Sequence, residues 1–342
     1  MVKKLSFEEK YELITRNLQE IINEEELKKQ LKTKKEFSVY WGTMPTGSIS
    51  IAYFFQMIKI ADFLKAGLKV KILLADLHAA LDSVAWEVLD KRYNYYKEAI
   101  ILILKTIGVD ISKLEFVKGS NIQLNKKYFY DLLKLSTITS LHDSKKAASE
   151  GVKSAVGQDV KLSGMIYPLM QALDEEYLNV DAQFAGVDQR KIMVFARENL
   201  PKIGYRKRIE LMSPMVRGLI GEKMSSSIEG TKIDLLDDEN AVKKRLNNAE
   251  CVAGESNNGV LALLKYLIFT LKKNKENFIV ERSEKYGGNL IYKDYESVEK
   301  DFISKKLHPL DLKNAVAREI NILLKNFRKS SKLKKLHKIA YG

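Results

Sequence analysis

Short runs rich in β-forming residues alternate with amphipathic helical stretches over the first two thirds of this chain, and that alternation admits few folds. Phe37 to Trp41 (FSVYW) reads as a strand that ends in Gly42, Pro45 and Gly47, and the following SIAYFFQMIKIADFLKAG has helical periodicity closed by Gly67. KVKILLA then reads as a second strand, joined to the first by a right-handed βαβ crossover. A third unit follows at LEFVKGS and a fourth at VDAQFAG, which leads into VDQRKIMVFAREN. Four such units predict an α/β fold on a doubly wound parallel sheet, with its ligand site at the carboxyl ends of the strands.

Between Asn125 and Leu173 the pattern changes to helices with a polar interruption, HDSKKAASEGVKSAVGQD, which reads as an insertion able to hold a partner subunit. From about Gly230 onward the strands fade and helical periodicity dominates, as in GVLALLKYLIFTLKK and LKNAVAREINILLKNFRK. The expected domain boundary lies near Ser227 to Thr231. Fifty-eight Lys and Arg against 44 Asp and Glu give a net charge of +14, which favours a polyanionic partner. After Glu319 there is no acidic residue, while Lys325, Arg328, Lys329, Lys332, Lys334, Lys335 and Lys338 follow. These lysines fit either a solvated helix face or a contact to RNA phosphates. The single cysteine, Cys251, excludes an internal disulfide and the common zinc spacings. The N-terminal MVKKLSFEEKYELITRNLQEI is amphipathic and charged, and no apolar run approaches the roughly 18 residues needed to cross a bilayer, so a cytoplasmic protein without a membrane span is expected.

Four clusters carry chemistry. Gly221-Glu222-Lys223-Met224-Ser225-Ser226-Ser227 puts a lysine and three hydroxyls on a polar loop, the mobile charge and donors that a phosphoryl or adenylyl transfer needs; alone, it would be a solvated linker. Tyr40 to Tyr53 (YWGTMPTGSISIAY) sets a glycine turn and a helix start after the first strand, where backbone N–H groups can receive phosphates, although Ser48 or Ser50 could simply cap the helix. In Tyr167-Pro168-Leu169-Met170-Gln171-Ala172-Leu173-Asp174 the proline suits a first helical turn, and Tyr167, Gln171 and Asp174 share one face, convergent on a small polar ligand or merely an exposed polar stripe. Gly186-Val187-Asp188-Gln189-Arg190 ends a strand with an acid able to accept ribose hydroxyls or to cap the helix.

YWGTMPTGSISIAY, ADLHA, YPLMQALDEEY, GVDQRK, PMVRGL, KMSSS, KYGGN and LHPLDLKNAV occur in one order over nearly the whole chain, which thereby resembles the eukaryotic and archaeal tyrosyl-tRNA synthetases of class I. The resemblance implies a Rossmann catalytic domain over 1–228 with an inserted dimer-interface segment at about 125–165, an all-helical anticodon-binding domain over 229–342, and a homodimer. It implies that Tyr40 and Asp174 read the phenolic hydroxyl of L-tyrosine, while Tyr167, Gln171 and Gln189 hold its α-amino end. Gly42, Gly47 and Gly186 would let backbone approach ATP, Asp188 would bind its ribose, and Met215 and Val216 would flank adenine. Lys223, Ser225 and Ser226 would clamp the phosphates, with Mg²⁺ bound through those phosphates and no metal site on the protein. The partners implied are tRNA(Tyr), L-tyrosine and ATP, with KYGGN (285–289) as the anticodon contact. His78 of ADLHA is either a pocket residue or a satisfied structural histidine.

Three positions depart from the family pattern, one of them Tyr53, at the signature's last histidine, a replacement that related synthetases tolerate. Ser50 stands where its signature normally has a histidine, leaving a shorter, uncharged donor for a phosphate oxygen, and Arg217 stands where close relatives often have proline. Ser50 together with the basic C-terminal stretch keeps open a synthetase-derived RNA-binding protein that no longer activates an amino acid. A tryptophanyl enzyme is disfavoured by the Tyr40 and Asp174 pair, because indole has no hydroxyl for it.

Overall fold

The computed structural model describes residues 5–155, 157, 159–221, 232–272 and 276–342. Two units make up the chain. The first comprises Met1–Thr46, Lys59–Lys97 and Val109–Met215, and the second Gly47–Ile58, Glu98–Gly108 and Val216–Gly342. The expected boundary near Ser227 to Thr231 lies outside the described residues.

The first unit is built on six strands, β1 (Glu20–Ile22), β2 (Ser38–Thr43), β3 (Lys69–Leu74), β4 (Leu114–Lys118), β5 (Ala182–Gly186) and β6 (Ile209–Ser213), in the order β1-β6-β5-β2-β3-β4. Strands β2 to β6 are parallel, and β1 pairs antiparallel with β6. Helices cover the faces of this parallel sheet, so Val39, Tyr40 and Trp41 in β2 and Ile72, Leu73 and Leu74 in β3 are all buried, and such strands read as unbroken apolar runs. The chain steps from β2 outward to β3 and β4, then returns to β5 on the other side of β2. In an open α/β sheet ligands usually sit where the strand order reverses in this way, here at the carboxyl ends of β2 and β5.

β2, β3, β4 and β5 are the four strands the alternation predicts. β1 and β6 are additions. The three residues of β1 sit in a charged, helix-rich stretch, and β6 (IELMS) carries Glu210, fully buried, at its second position, so neither shows an apolar run.

The connection from β4 to β5 passes through helices Gly119–Gln123, Lys126–Thr137, Leu141–Ala148 and Leu162–Tyr177. Asn125 and Ser140 cap two of them, accepting from the Lys127 and Asp143 amides at 2.8 and 3.0 Å. Helix Leu162–Tyr177 begins six residues ahead of Pro168, which therefore lies inside the helix and not in its first turn as the sequence suggested. The starting point is set by packing. A side chain on Gly164 would meet the backbone of Ser154 and Ala155 at 2.7 Å, so this first turn is pressed against the preceding segment.

In the second unit the principal helices are Glu239–Asn247, Pro309–Lys329 and Ser331–Tyr341. Proline opens the second of these, and the His308 ring caps it by accepting from the Leu310 amide at 3.2 Å. Phe54, at the start of helix Tyr53–Lys65, packs edge-on against Phe327 with ring centres 5.8 Å apart. The region expected to be all-helical also holds an antiparallel ribbon, β7 (Phe278–Val280) with β8 (Leu290–Tyr292). KYGGN occupies its connecting loop, and Gly287 and Gly288 turn it with φ of 89° and 69°, the left-handed region that glycine enters without strain.

Candidate active site

Tyr40 projects from the middle of β2 into a cluster of Leu73, Ala75, Leu178 and Val180. Its hydroxyl is buried and has no hydrogen-bond partner among the described residues. Burial, then the charges of Glu175 and Asp174, holds the phenol well above its ordinary titration range, so it is a neutral donor at any working pH. A buried polar group left unpaired in this way is a place where a water or a ligand can complete the set.

Asp174, 1% exposed, sits on helix Leu162–Tyr177 in a ring of donors. The Gln123 amide donates to its two oxygens at 2.9 and 3.1 Å, and the Tyr128 hydroxyl lies 2.9 Å from Oδ1 and 2.8 Å from the Met170 carbonyl. Gln123 Nε2 also lies 3.1 Å from His78 Nδ1. Burial pushes His78 down to about 4, so the ring is neutral near pH 7 and its 3.8 Å approach to Asp174 is not an ion pair. The same ring stands edge-on to Tyr167 with centroids 4.5 Å apart. His78 thus both lines the cluster and packs structurally.

Burial raises the Asp174 carboxyl to about 7, against the pull of Gln123 and Tyr128 in the other direction. Between about pH 4 and pH 7 the folded protein keeps a proton that the unfolded chain has released, so this group's contribution falls as pH rises across that window and is level above it. In thermal melts, the advantage of Asp174→Asn over wild type is therefore expected to grow from pH 4 to pH 7 and then stay constant. A difference independent of pH would mean that Asp174 is ionised in the fold at pH 4.

Gln171 and Gln189 meet at the other side of this helix face. Gln171 Nε2 donates to Gln189 Oε1 at 3.3 Å, and Gln189 Nε2 lies 3.4 Å from Asp188 Oδ2. Asp188 and Gln189 form a short turn, Val187–Gln189, at the carboxyl end of β5. A side chain on Gly186 would come within 2.5 Å of the Asp188 carboxylate, so that glycine makes room for the acid. Gly42 is different: a Cβ there meets Tyr40 and Leu73 only at ordinary distances of 3.7 to 3.9 Å, and the protein's own packing does not demand a glycine. Met215 is 44% exposed just past β6.

The second unit carries the turn after β2. Ser50 is buried and paired with Asp234 in an isolated antiparallel bridge, through Ile51 N to Ile233 O at 2.8 Å and Leu235 N to Ile49 O at 3.1 Å. Lys232 Nζ reaches the Ser48 carbonyl and hydroxyl at 3.3 and 3.1 Å. Arg217 Nη2 lies 3.3 Å from Glu250, which also accepts from the Gly221 amide at 3.2 Å, so Arg217 is tied to the protein. Val216 belongs to this unit as well. Lys223, Ser225 and Ser226 lie outside the described residues.

The sequence profile described as tRNA synthetases class I (W and Y) matches residues 32–325. The cytoplasmic tyrosine–tRNA ligase of Saccharomyces cerevisiae is 48% identical over 330 residues, which cover 94% of this chain and 83% of that protein. The chain belongs to the class I tyrosyl-tRNA synthetase family. The tyrosyl-tRNA synthetase of Archaeoglobus fulgidus, solved in complex with L-tyrosine, matches the fold with a TM-score of 0.85 at 40% identity, over 95% of this chain and 99% of that one. The cytoplasmic tyrosine–tRNA ligase of Gallus gallus is 52% identical over 98% of this chain, but the chain spans only 63% of that relative's length.

The motifs that carry this family's resemblance left out two residues of the Asp174 ring, Gln123 and Tyr128. Gln123 follows β4 by a few residues, so the rule that ligands gather at carboxyl strand ends pointed to its neighbourhood. No spacing singled it out. Tyr128 lies on a helix with apolar residues at helical intervals and reads as core.

Proposed function

We propose that the chain is a tyrosine–tRNA ligase, which activates L-tyrosine with ATP and transfers it to the 3′ end of tRNA(Tyr). The observation that carries this is the unpartnered, neutral Tyr40 hydroxyl, buried and within reach of the charge of the equally buried Asp174 carboxyl, a donor and an acceptor suited to a phenolic hydroxyl. Tyr167, Gln171 and Gln189 would take the α-amino end, Asp188 the ribose, Gly42, Gly47 and Gly186 the backbone approach of ATP, and Met215 and Val216 the adenine. A carboxylate oxygen of tyrosine attacks the α-phosphorus of ATP, the bond to the β-phosphate oxygen breaks, and pyrophosphate leaves. The terminal ribose hydroxyl of the tRNA then attacks the acyl carbon and releases AMP. Lys223, Ser225, Ser226 and Ser50 would stabilise charge on the phosphates, with Mg²⁺ bound through those phosphates and supplying charge neutralisation there. Positioning and charge stabilisation suffice, and no side chain is modified.

Residues 1–228 would form the catalytic domain and 229–342 the anticodon-binding domain. For the latter, the exposed Tyr286 ring in the KYGGN loop offers a stacking surface beside Lys285. A homodimer through the segment at about 125–165 is supported by the exposed apolar side chains of Phe129, Tyr130, Leu133, Leu141 and Leu162, more than a solvated surface normally carries. Among the described residues no helix is long and apolar enough to cross a membrane, and relatives named cytoplasmic favour that compartment for this chain.

Tyrosine-dependent ATP–pyrophosphate exchange tests the proposal, with phenylalanine and tryptophan as controls. Exchange with tyrosine alone is expected. Ser50→His, which restores a longer, chargeable donor, is expected to speed it by up to roughly a hundredfold, the worth of about 3 kcal/mol on a transition-state oxygen. No exchange in either protein would leave RNA binding without activation as the better account.

A further inference from the structure

Three successive carbonyls in the turn after β2 are held by residues that follow position 231. Ile49 O accepts from the Leu235 amide at 3.1 Å, Ser48 O from Lys232 at 3.3 Å, and Gly47 O from the Tyr341 hydroxyl at 2.8 Å, across 294 positions. The first of these is backbone pairing and the second a flexible lysine. The third comes from the last turn of helix Ser331–Tyr341, and nothing in the chemistry assigned above uses it.

We infer that Tyr341 is a positioning residue for the nucleotide-binding turn: its hydroxyl fixes the Gly47 peptide plane and with it the direction of the Ser48 amide. A peptide group is planar, and those of this turn are trans, so the N–H of Ser48 points opposite to the carbonyl that Tyr341 holds. Without Tyr341 that plane loses one of its constraints, and the aim of the amide loosens. A donor that must already face a phosphate before the reaction gains its value from being fixed beforehand.

The Tyr341 ring is itself held. His337, one helical turn earlier, stands 5.2 Å from it with the planes at 42°. Burial above all, with Lys232 acting in the same direction, holds the His337 ring below the usual histidine range against the opposing pull of Asp234. It is therefore a neutral packing partner at pH 7. The same Asp234 and Lys232 belong to the strip bridged to Ser48 and Ser50. Tyr341 and the 232–235 strip thus hold one short turn, and the side chain at 341 ties the orientation of a phosphate-facing amide to a helix far away in sequence.

This inference rests on the proposal that Gly47 and its neighbours receive ATP, and the test keeps the two apart. Tyr341→Phe retains the ring and its contact with His337 while removing the donor. Deuterium exchange of the peptide spanning residues 45–53 in the free protein is expected to quicken, and direct titration with MgATP to show about fivefold weaker binding, the size of one lost hydrogen bond. L-Tyrosine binding, read on the same variant, is expected to be unchanged. Unaltered deuterium exchange would overturn the latch, and faster exchange with unaltered MgATP affinity would overturn its positioning role. Equal weakening of MgATP and tyrosine would reveal a general loss of structure and overturn it as well. Wild type that binds MgATP but shows no tyrosine-dependent pyrophosphate exchange would sink the proposed ligase activity while leaving the latch decided by the first two readouts.

Discussion

Asp174→Ala is expected to lower kcat/KM for tyrosine in pyrophosphate exchange by at least about a hundredfold, with kcat/KM for phenylalanine nearly unchanged. The carboxyl group is buried, raised to about 7, and ringed by Gln123 and Tyr128, so it is anchored before any ligand arrives. A charge-assisted hydrogen bond to a substrate hydroxyl in such surroundings contributes about 3 kcal/mol, roughly a hundredfold in rate. Phenylalanine has no hydroxyl to lose, so the ratio between the two substrates collapses. Tyr40→Phe deletes the opposing donor and is expected to cost about tenfold, as for a neutral bond. A tyrosyl-tRNA synthetase is itself the standing example of such discrimination, rejecting phenylalanine by about 10⁵ because the groups that bind the hydroxyl are then left unpaired. Purified variants assayed with both amino acids decide the matter. If Asp174→Ala kept its preference for tyrosine, the phenol would be recognised elsewhere.

Gly259→Ala is expected to destabilise the protein by about 3 kcal/mol and to slow exchange while leaving tyrosine binding intact. Gly259 opens helix Gly259–Leu263, and a methyl group there would fall onto the Gly218 carbonyl group, 2.6 Å from its carbon, with the Leu219 Cα at 3.0 Å. The obstacle is backbone on both sides, so no side chain can swing away, and overpacking of this kind costs about 1 to 3 kcal/mol or somewhat more. Leu219 is fully buried, and its carbonyl accepts from the Glu250 amide at 2.8 Å, which leaves this stretch little freedom to retreat. Gly218 and Leu219 also lead directly into the lysine and serine motif, so a displacement here moves the start of the segment that would face the phosphates. Thermal melts together with separate titrations of tyrosine and ATP measure both effects. A variant with wild-type melting and full exchange would show that residues 218 and 219 can shift freely.

Both variants touch features that the sequence disclosed unequally. The apolar runs announced β2, β3 and β5 because most of their residues are buried between covering layers, β4 showed through its β-rich LEFVK run, and the spacing of Tyr167, Gln171 and Asp174 survives on one helix. β6 was illegible because Glu210 interrupts it. The compensation for that buried carboxyl, positive charge from Arg197 and Arg208, comes from tertiary packing and leaves no trace in spacing. Pro168 misled for a similar reason: a proline suggests a helix start, but the backbone of Ser154 and Ala155 against Gly164 sets the true one. Tyr40 and Asp174 were legible only through the family motif, and Gln123, which orients the acid, had no signal of its own. Gly259 gave none either, since what it must avoid lies far back along the chain, at Gly218.

The sheet's margins bear on how copies of this protein can meet. On one side it closes with β1, three residues long and antiparallel to β6, too short to offer another chain a useful row of free amides and carbonyls. On the other it closes with β4, whose Glu115 and Lys118 put both charges on a five-residue margin. Both margins therefore disfavour runaway strand-to-strand stacking, and the homodimer proposed through side chains such as Phe129 and Leu141 would stop at a closed pair instead of growing into a fibre.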